Sequence, residues 1–284
     1  MTGRRTIARW FVRVAAALFV LMAITPALFV VFSPASHDPS RCILRDVDGR
    51  LQFLLHPSAA HWFGTDQQGC DLYARTVHAA RVSIGIALVT VTLSIALGAL
   101  LGGTAGYFGG RVDAIVTRLV ELFAGLPPVV FAVLVLSTRT GGRSLPLVAG
   151  VLGLIGAPMI AKVIRTAVLE IREREFVDAA RASGASNARI LVRHIGPNVA
   201  PTIVVLASLG VGPAIAAETT LAFLGLSVDP PAAGWGVLVA EGRNHLADRP
   251  TLLLFPAAFL VLVALTFVLL GDQVSSRRRA RGLP

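Results

Sequence analysis

Few side chains in this 284-residue sequence could do chemistry, and their spacing narrows what that chemistry is. The only lysine is Lys162, and Val163 follows it. A phosphate-cradling P-loop needs a lysine after a Gly-rich turn and directly before Ser or Thr. The chain lacks that lysine, so any ATP hydrolysis that drives it must occur on another polypeptide. The histidines, His37, His56, His61, His78, His194 and His245, scatter mostly through loops and form no catalytic set with Asp or Ser at one depth. His56 and His61 show no regular ligand spacing, so no metal site is expected. Cys42 and Cys70 are the only cysteines. A bridge between them and two free thiols both stand as readings.

The elements that must position these residues are apolar. Hydrophobic residues make up 55% of the chain and charged residues 15%, against about 25% charged in soluble domains. Six apolar runs, 10–32, 82–107, 114–136, 145–169, 199–217 and 252–270, are each long enough to cross about 30 Å of hydrocarbon as a helix. Lipid offers the backbone no partner, so the expected fold is all-α and transmembrane. The net charge is +10, and 25 of the 26 basic residues are Arg. A basic surface for nucleic acid is set aside, because these residues fall in short loops between apolar runs, as orientation in a bilayer requires. Seventeen of them, including Arg4, Arg5, Arg9, Arg13, Arg118, Arg165 and Arg277, share the side of the N-terminus. Those on the other side, Arg41, Arg45, Arg50, Arg139 and Arg143 among them, are offset by Asp38, Asp46, Asp48 and Asp66. A multi-pass chain with both termini cytoplasmic follows. The apolar run at the N-terminus is too long, and lacks the small-residue site, for a cleaved signal.

Ionisable groups inside a membrane are functional candidates by default. A proton-coupled transporter needs acidic residues near midspan, and 82–107 and 252–270 carry no charge in their interiors. Arg118 and Glu121 read as an i,i+3 pair at the inner face, and Lys162 and Arg165 as anchors there. Glu218 lies near the outer end of the fifth run, where it reads either as a cap on an outer gate or as a partner for an outer Arg. Pro127-Pro128 should kink the third run. Gly98, Gly102 and Gly106, four apart, should let helices approach closely. The outer segment 219–251, with Phe223 and Trp235, reads either as an interfacial loop anchored by Trp235 or as a short helix closing the outer mouth of a pathway.

One inner connection, 170–197, is much longer than the others. Phe176, Ala179 and Ala180 make a small apolar helical face. Gly184 breaks the run, Ser186 or Asn187 caps a second helix, and Pro197 opens the next span, where its missing N–H costs little. Helix, glycine turn and helix are expected at the cytoplasmic surface, with small residues that admit another protein.

Asp178-Ala179-Ala180, Gly184 and Pro197 resemble the EAA loop of binding-protein-dependent ABC importer permeases, with Asp178 in place of the usual Glu. Arg193-His194 through Pro197-Asn198 is similar to the RHxxPN ending of the dipeptide/oligopeptide branch. Gly64-Thr65-Asp66 with Gly69 and Asp71 is similar to that branch's GTDxxGRD segment, Cys70 replacing Arg. Ala105-Gly106-Tyr107-Phe108-Gly109-Gly110, Phe223-Leu224-Gly225-Leu226 and Trp235-Gly236 extend the match to roughly 62–271.

The resemblance implies the C-type subunit of a dipeptide/oligopeptide importer, a six-helix permease of the type I kind in a prokaryotic inner membrane. It implies a loop around Phe176, Asp178, Ala179, Ala180, Gly184, Arg193, His194 and Pro197 that docks on an ATPase. The implied partners are a homologous B-type permease, one or two ATPases or a fused one, and an extracytoplasmic binding protein. ATP and Mg belong to the ATPase, and no cofactor to this chain. The glycine row would suit a seam with the sister subunit. The expected organisation is 1–81 for the cytoplasmic tail, first span and outer loop, 82–271 for the permease core, and 272–284 for a basic cytoplasmic tail. The rivals are a proton-coupled secondary transporter and a membrane-embedded enzyme.

Overall fold

The computed structural model describes residues 2–31, 42, 53–138 and 141–280. Phe32 at the end of the first expected span, His37, Asp38, Arg41, Arg45, Asp46, Asp48 and Arg50 of the first outer segment, Arg139 and Arg281 lie outside the described residues.

The described residues form helices joined by loops, with one isolated β-bridge between Thr65 and Asp71. In order the chain forms α1 (Thr2–Ile24), α2 (Pro26–Val30), α3 (Leu72–Phe108), α4 (Gly110–Ala124), α5 (Pro128–Ser137), α6 (Leu145–Arg172), α7 (Glu175–Ala182) and α8 (Asn187–Arg189). After a π-helical turn (Ile190–Ile195) come α9 (Gly196–Phe223), α10 (Trp235–Gly242) and α11 (Thr251–Ala280). Among the described residues four helices are long and apolar enough to cross a membrane: α3, α6, the continuous 187–223 helix, and α11. A fifth crossing exists if α4 and α5 count as one broken span. The apolar stretch of α1, Trp10–Ile24, is shorter than a full crossing.

Three expected spans change shape for local reasons. The first breaks at Pro26, whose ring ends the α1 ladder at Thr25. The second starts ten residues earlier than expected, because Asp71 caps α3 by accepting from the Ala74 N–H at 2.8 Å. The third is broken rather than kinked. Its halves meet at 78° across Gly125 to Pro127, and Pro128 opens α5, where it has no N–H to lose.

The centre of the molecule is the α3–α6 pair. Thr90, Ser94, Gly98, Gly102 and Gly106 recur every fourth residue of α3, so they form one row. The Thr90 and Ser94 hydroxyls donate to the Ala149 and Gly153 carbonyls of α6 at 3.3 and 2.9 Å. Below them the glycines admit the α6 backbone itself, the next atom to a Cβ on Gly102 being the Ala161 oxygen at 2.3 Å. The row therefore packs within this chain, and the expected seam with a sister subunit is corrected. Lipid supplies no hydrophobic drive between helices, so packing and hydrogen bonds of this kind hold the pair.

Candidate coupling surface and transport path

α7 carries the loop's exposed chemistry. Val177 and Ala180 are buried among Ile164, Val168 and Ile190, while Phe176 (41% exposed), Asp178 and Ala179 face outward. The apolar face expected from Phe176, Ala179 and Ala180 is thus divided between two sides of the helix. One side is bolted to the protein and the other is open. The helix ends in a Schellman turn, in which the Ala185 N–H donates to the Ala180 carbonyl and the Gly184 N–H to the Arg181 carbonyl. Gly184 takes φ +77°, a left-handed conformation that suits glycine. Ser186 then caps α8 by accepting from the Arg189 N–H.

The next span does not open at Pro197; the helix already runs through it from residue 187. The proline has no N–H and its ring crowds the preceding turn, and directly ahead of it the helix widens to the π form. The Asn198 amide donates to the His194 carbonyl at 2.7 Å, giving that oxygen a partner. Arg193 and Pro197 are exposed and His194 half-buried on this segment.

At the opposite end of the molecule, α10 is the short helix of the two readings for this segment. Trp235 is fully buried, so it is not an interfacial anchor. Its backbone N–H donates to Ser83 Oγ at 2.9 Å and its indole N–H to the Thr76 carbonyl at 2.8 Å, fastening α10 to α3. Glu218, also fully buried, accepts from the Ser227 hydroxyl at 2.6 Å through Oε1, and Oε2 has no partner among the described residues. Phe223 is exposed beside the guanidinium of Arg243.

The Gly64-to-Asp71 segment is a staple. Asp66 accepts from the Gln68 and Cys70 N–H groups and pairs with Arg75, which also reaches Glu241 at 3.0 Å. Cys42 and Cys70 are bonded to each other. Between the connections before α6 and after α9, Asp229 Oδ1 and Oδ2 receive the Arg143 guanidinium and N–H, each at 2.7 Å. That N–H first, and then the guanidinium, hold the carboxyl below its ordinary value of 3.8.

An apolar cavity of about 390 Å³ opens between α3, α5, α6 and α9, lined by Ser94, Pro128, Ala132, Gly156 and Pro213. Pro127, beside Pro128, sits at the N-cap of α5. Among the described residues no three His, Cys, Asp or Glu side chains gather to hold a metal. Sequence reasoning missed the Asp71 cap, although a lone Asp before an apolar run signals one. It also missed the pairing of Arg143 with Asp229, which 86 residues separate.

Residues 94–280, the stretch from the Ser94 hydrogen bond through the loop to the end of α11, match the family described as "Binding-protein-dependent transport system inner membrane component". The chain belongs to this family. It is the membrane permease of a binding-protein-dependent ABC importer, a subunit without catalysis of its own that works with an ATPase and a binding protein. The permease is 35% identical over 254 residues to the dipeptide transport system permease protein DppC of Alkalihalophilus pseudofirmus, covering 89% of this chain and 79% of that protein. It is 34% identical over 270 residues to the nickel transport system permease protein NikC of Escherichia coli, covering 94% and 92%. Its fold is that of a chain in an inward-facing MetNI methionine ABC transporter, at TM-score 0.54 and 18% identity, covering 69% of the permease and 92% of that chain.

Proposed function

We propose that the permease forms half of an ATP-driven path for short peptides, with α7 as the helix that docks on the ATPase. The observation that carries this reading is the division of α7, with Val177 and Ala180 anchored inside and Phe176 and Ala179 open to a partner. In this reading the six crossings are α1, α3, the broken α4–α5, α6, the 187–223 helix and α11, with both termini cytoplasmic. The tail, first span and outer loop precede α3, so the core boundary expected at 82 moves to Leu72, and α11 runs past the expected core end at 271 into the basic tail. The second half of the path is a homologous B-type permease, and ATP and Mg sit on one or two ATPases or a fused pair. An extracytoplasmic binding protein delivers cargo to the face closed by α10. Glu218, Phe223 and Trp235 belong to that closure, and the Pro127-Pro128 break gives the path a flexible wall.

Peptide as cargo is favoured by the DppC relative, and the NikC relative keeps a chelated nickel ion as a second reading. Both make one kind of demand on the membrane path, a small polar solute handed over by a separate protein. Replacing Phe176 with Asp and Ala179 with Arg should abolish co-purification with the ATPase while the permease stays folded. Undiminished co-purification and uptake would sink the docking role. Uptake of dipeptide mixtures against nickel chelates, by the assembled complex with its binding protein, separates the two cargoes.

A further inference from the structure

The loop-side end of α3 is tied to α7 and α8 by a residue that the docking surface does not use. Tyr107 is 5% exposed, one residue before the last of α3. Its phenol O–H donates to the Asn187 side-chain oxygen at 2.9 Å, at the first position of α8. The Arg181 guanidinium at the end of α7 lies over its ring, 5.8 Å from the centroid. Arg172, the last residue of α6, donates to the Gly106 and Tyr107 carbonyls at 3.0 and 3.4 Å, occupying acceptors that the end of a helix leaves free. Two residues on, Gly109 and Gly110 at φ +66° and +52° turn the chain into α4. Asp113 of α4 is held to Arg165 of α6 by a two-pronged pair at 2.5 and 2.6 Å.

We propose that Tyr107 is a positioning residue that fastens the α7–α8 loop to the α3–α4 elbow, so that loop and elbow move as one body when the ATPase closes. The proposal rests on α7 being the docking helix. α7 is packed on α6 through Val177 and Ala180, but the Gly184 turn that links it to α8 is exposed and nothing packs against the glycine, so the chain alone passes a push on α7 poorly to α8. Tyr107 bridges that turn, holding Arg181 before it and Asn187 after it. A bridged loop delivers the displacement to α3 and, through the Gly109 turn, to α4, the first half of the broken span, which the Asp113–Arg165 pair also ties to α6. The phenol does two separable things, since its ring serves Arg181 and its hydroxyl serves Asn187.

The test uses the assembled importer in lipid nanodiscs, with spin labels on cysteines placed at Ala182 of α7 and Ile115 of α4, both exposed. The native cysteines are bonded to each other and leave these as the labelling sites. Vanadate with MgATP should move Ala182 relative to its counterpart on the sister subunit while the Ala182–Ile115 distance stays fixed. In Tyr107→Ala, and in Asn187→Ala at an exposed position that leaves the core intact, the Ala182–Ile115 distance should shift or broaden on trapping. ATP hydrolysis should persist, and peptide uptake per ATP should fall by roughly three- to tenfold. Tyr107→Phe should lie between, because it keeps the ring for Arg181 and loses the bond to Asn187. An unchanged Ala182–Ile115 distance and an unchanged uptake ratio in Asn187→Ala would overturn the clamp while leaving the docking role of α7 standing. No vanadate-induced movement of Ala182 in the unsubstituted importer would overturn the docking role itself.

Discussion

Gly102 leaves no room for a side chain, and its neighbour Gly103 does. A Cβ on Gly102 would meet the Ala161 oxygen at 2.3 Å, whereas one on Gly103 would find nothing within 4 Å. The pair makes a controlled experiment. Gly102→Ala should lower stability by about 1–3 kcal/mol through overpacking. Gly103→Ala should be neutral or stabilising by up to about 1 kcal/mol, the helix preference of Ala over Gly. Thermal unfolding in one detergent compares them, and equal melting points would contradict the packing described. At Gly184 the constraint is backbone alone, since φ is +77° and the space is open. Gly184→Ala should cost about 1–2 kcal/mol by forcing a left-handed Ala, with the fold retained. At this scale the sequence was partly readable. The glycine row said that something approaches closely, and the Gly break marked the turn. What approaches could not be read, because the α3 row carries no information about its partner; only the fold sets α6 there.

Among elements, the connection before α6 and the one after α9 are joined by Arg143 and Asp229. A carboxyl held below its ordinary pKa binds protons less readily in the folded state than in the unfolded one. Its contribution is therefore fully present above about pH 3.8 and is lost as pH falls through the lower, folded value. Asp229 is partly exposed, so the contribution is modest and screened by salt. Asp229→Asn should lower stability modestly at neutral pH and leave it unchanged once the carboxyl is protonated, so that the acid limb of the stability profile below about pH 5 is flatter. An identical acid limb in the variant would mean that other carboxylates carry it. The span positions were legible because apolar length is a strong signal, as for α6 and α11. Their ends were not, and each miss has a local cause. Asp71 extends α3 at its N-terminal end, Pro26 divides α1 from α2, and the helix that starts at residue 187 runs through Pro197 behind a π-helical turn. Caps and back-bonds of this kind depend on one side chain each, and they vanish in any average over a window.

For the molecule as a whole, the face opposite α7 is stitched together. The Cys42–Cys70 bond, the Asp66–Arg75–Glu241 pairs and the Arg249 bond to the Leu54 carbonyl join the segment ahead of α3 to α3, α10 and the start of α11. The bridge closes a loop with a separation of 28 residues, a length for which chain entropy gives about 2–4 kcal/mol. Cys42→Ser with Cys70→Ser, or a reductant, should lower the unfolding temperature, and an unchanged midpoint would show that the ion pairs suffice. The buried indole of Trp235 gives this face a property of another kind. Of the three tryptophans, Trp10 and Trp62 are exposed, and Trp235 alone is shut away from solvent. With Trp10 and Trp62 replaced by Phe, the emission of the protein comes from one indole hydrogen-bonded to the Thr76 carbonyl, blue and shielded from aqueous quenchers. Whatever lifts α10 away from α3 will redden that light and expose it to acrylamide, so the α10–α3 contact carries its own optical gauge, readable in real time without a label.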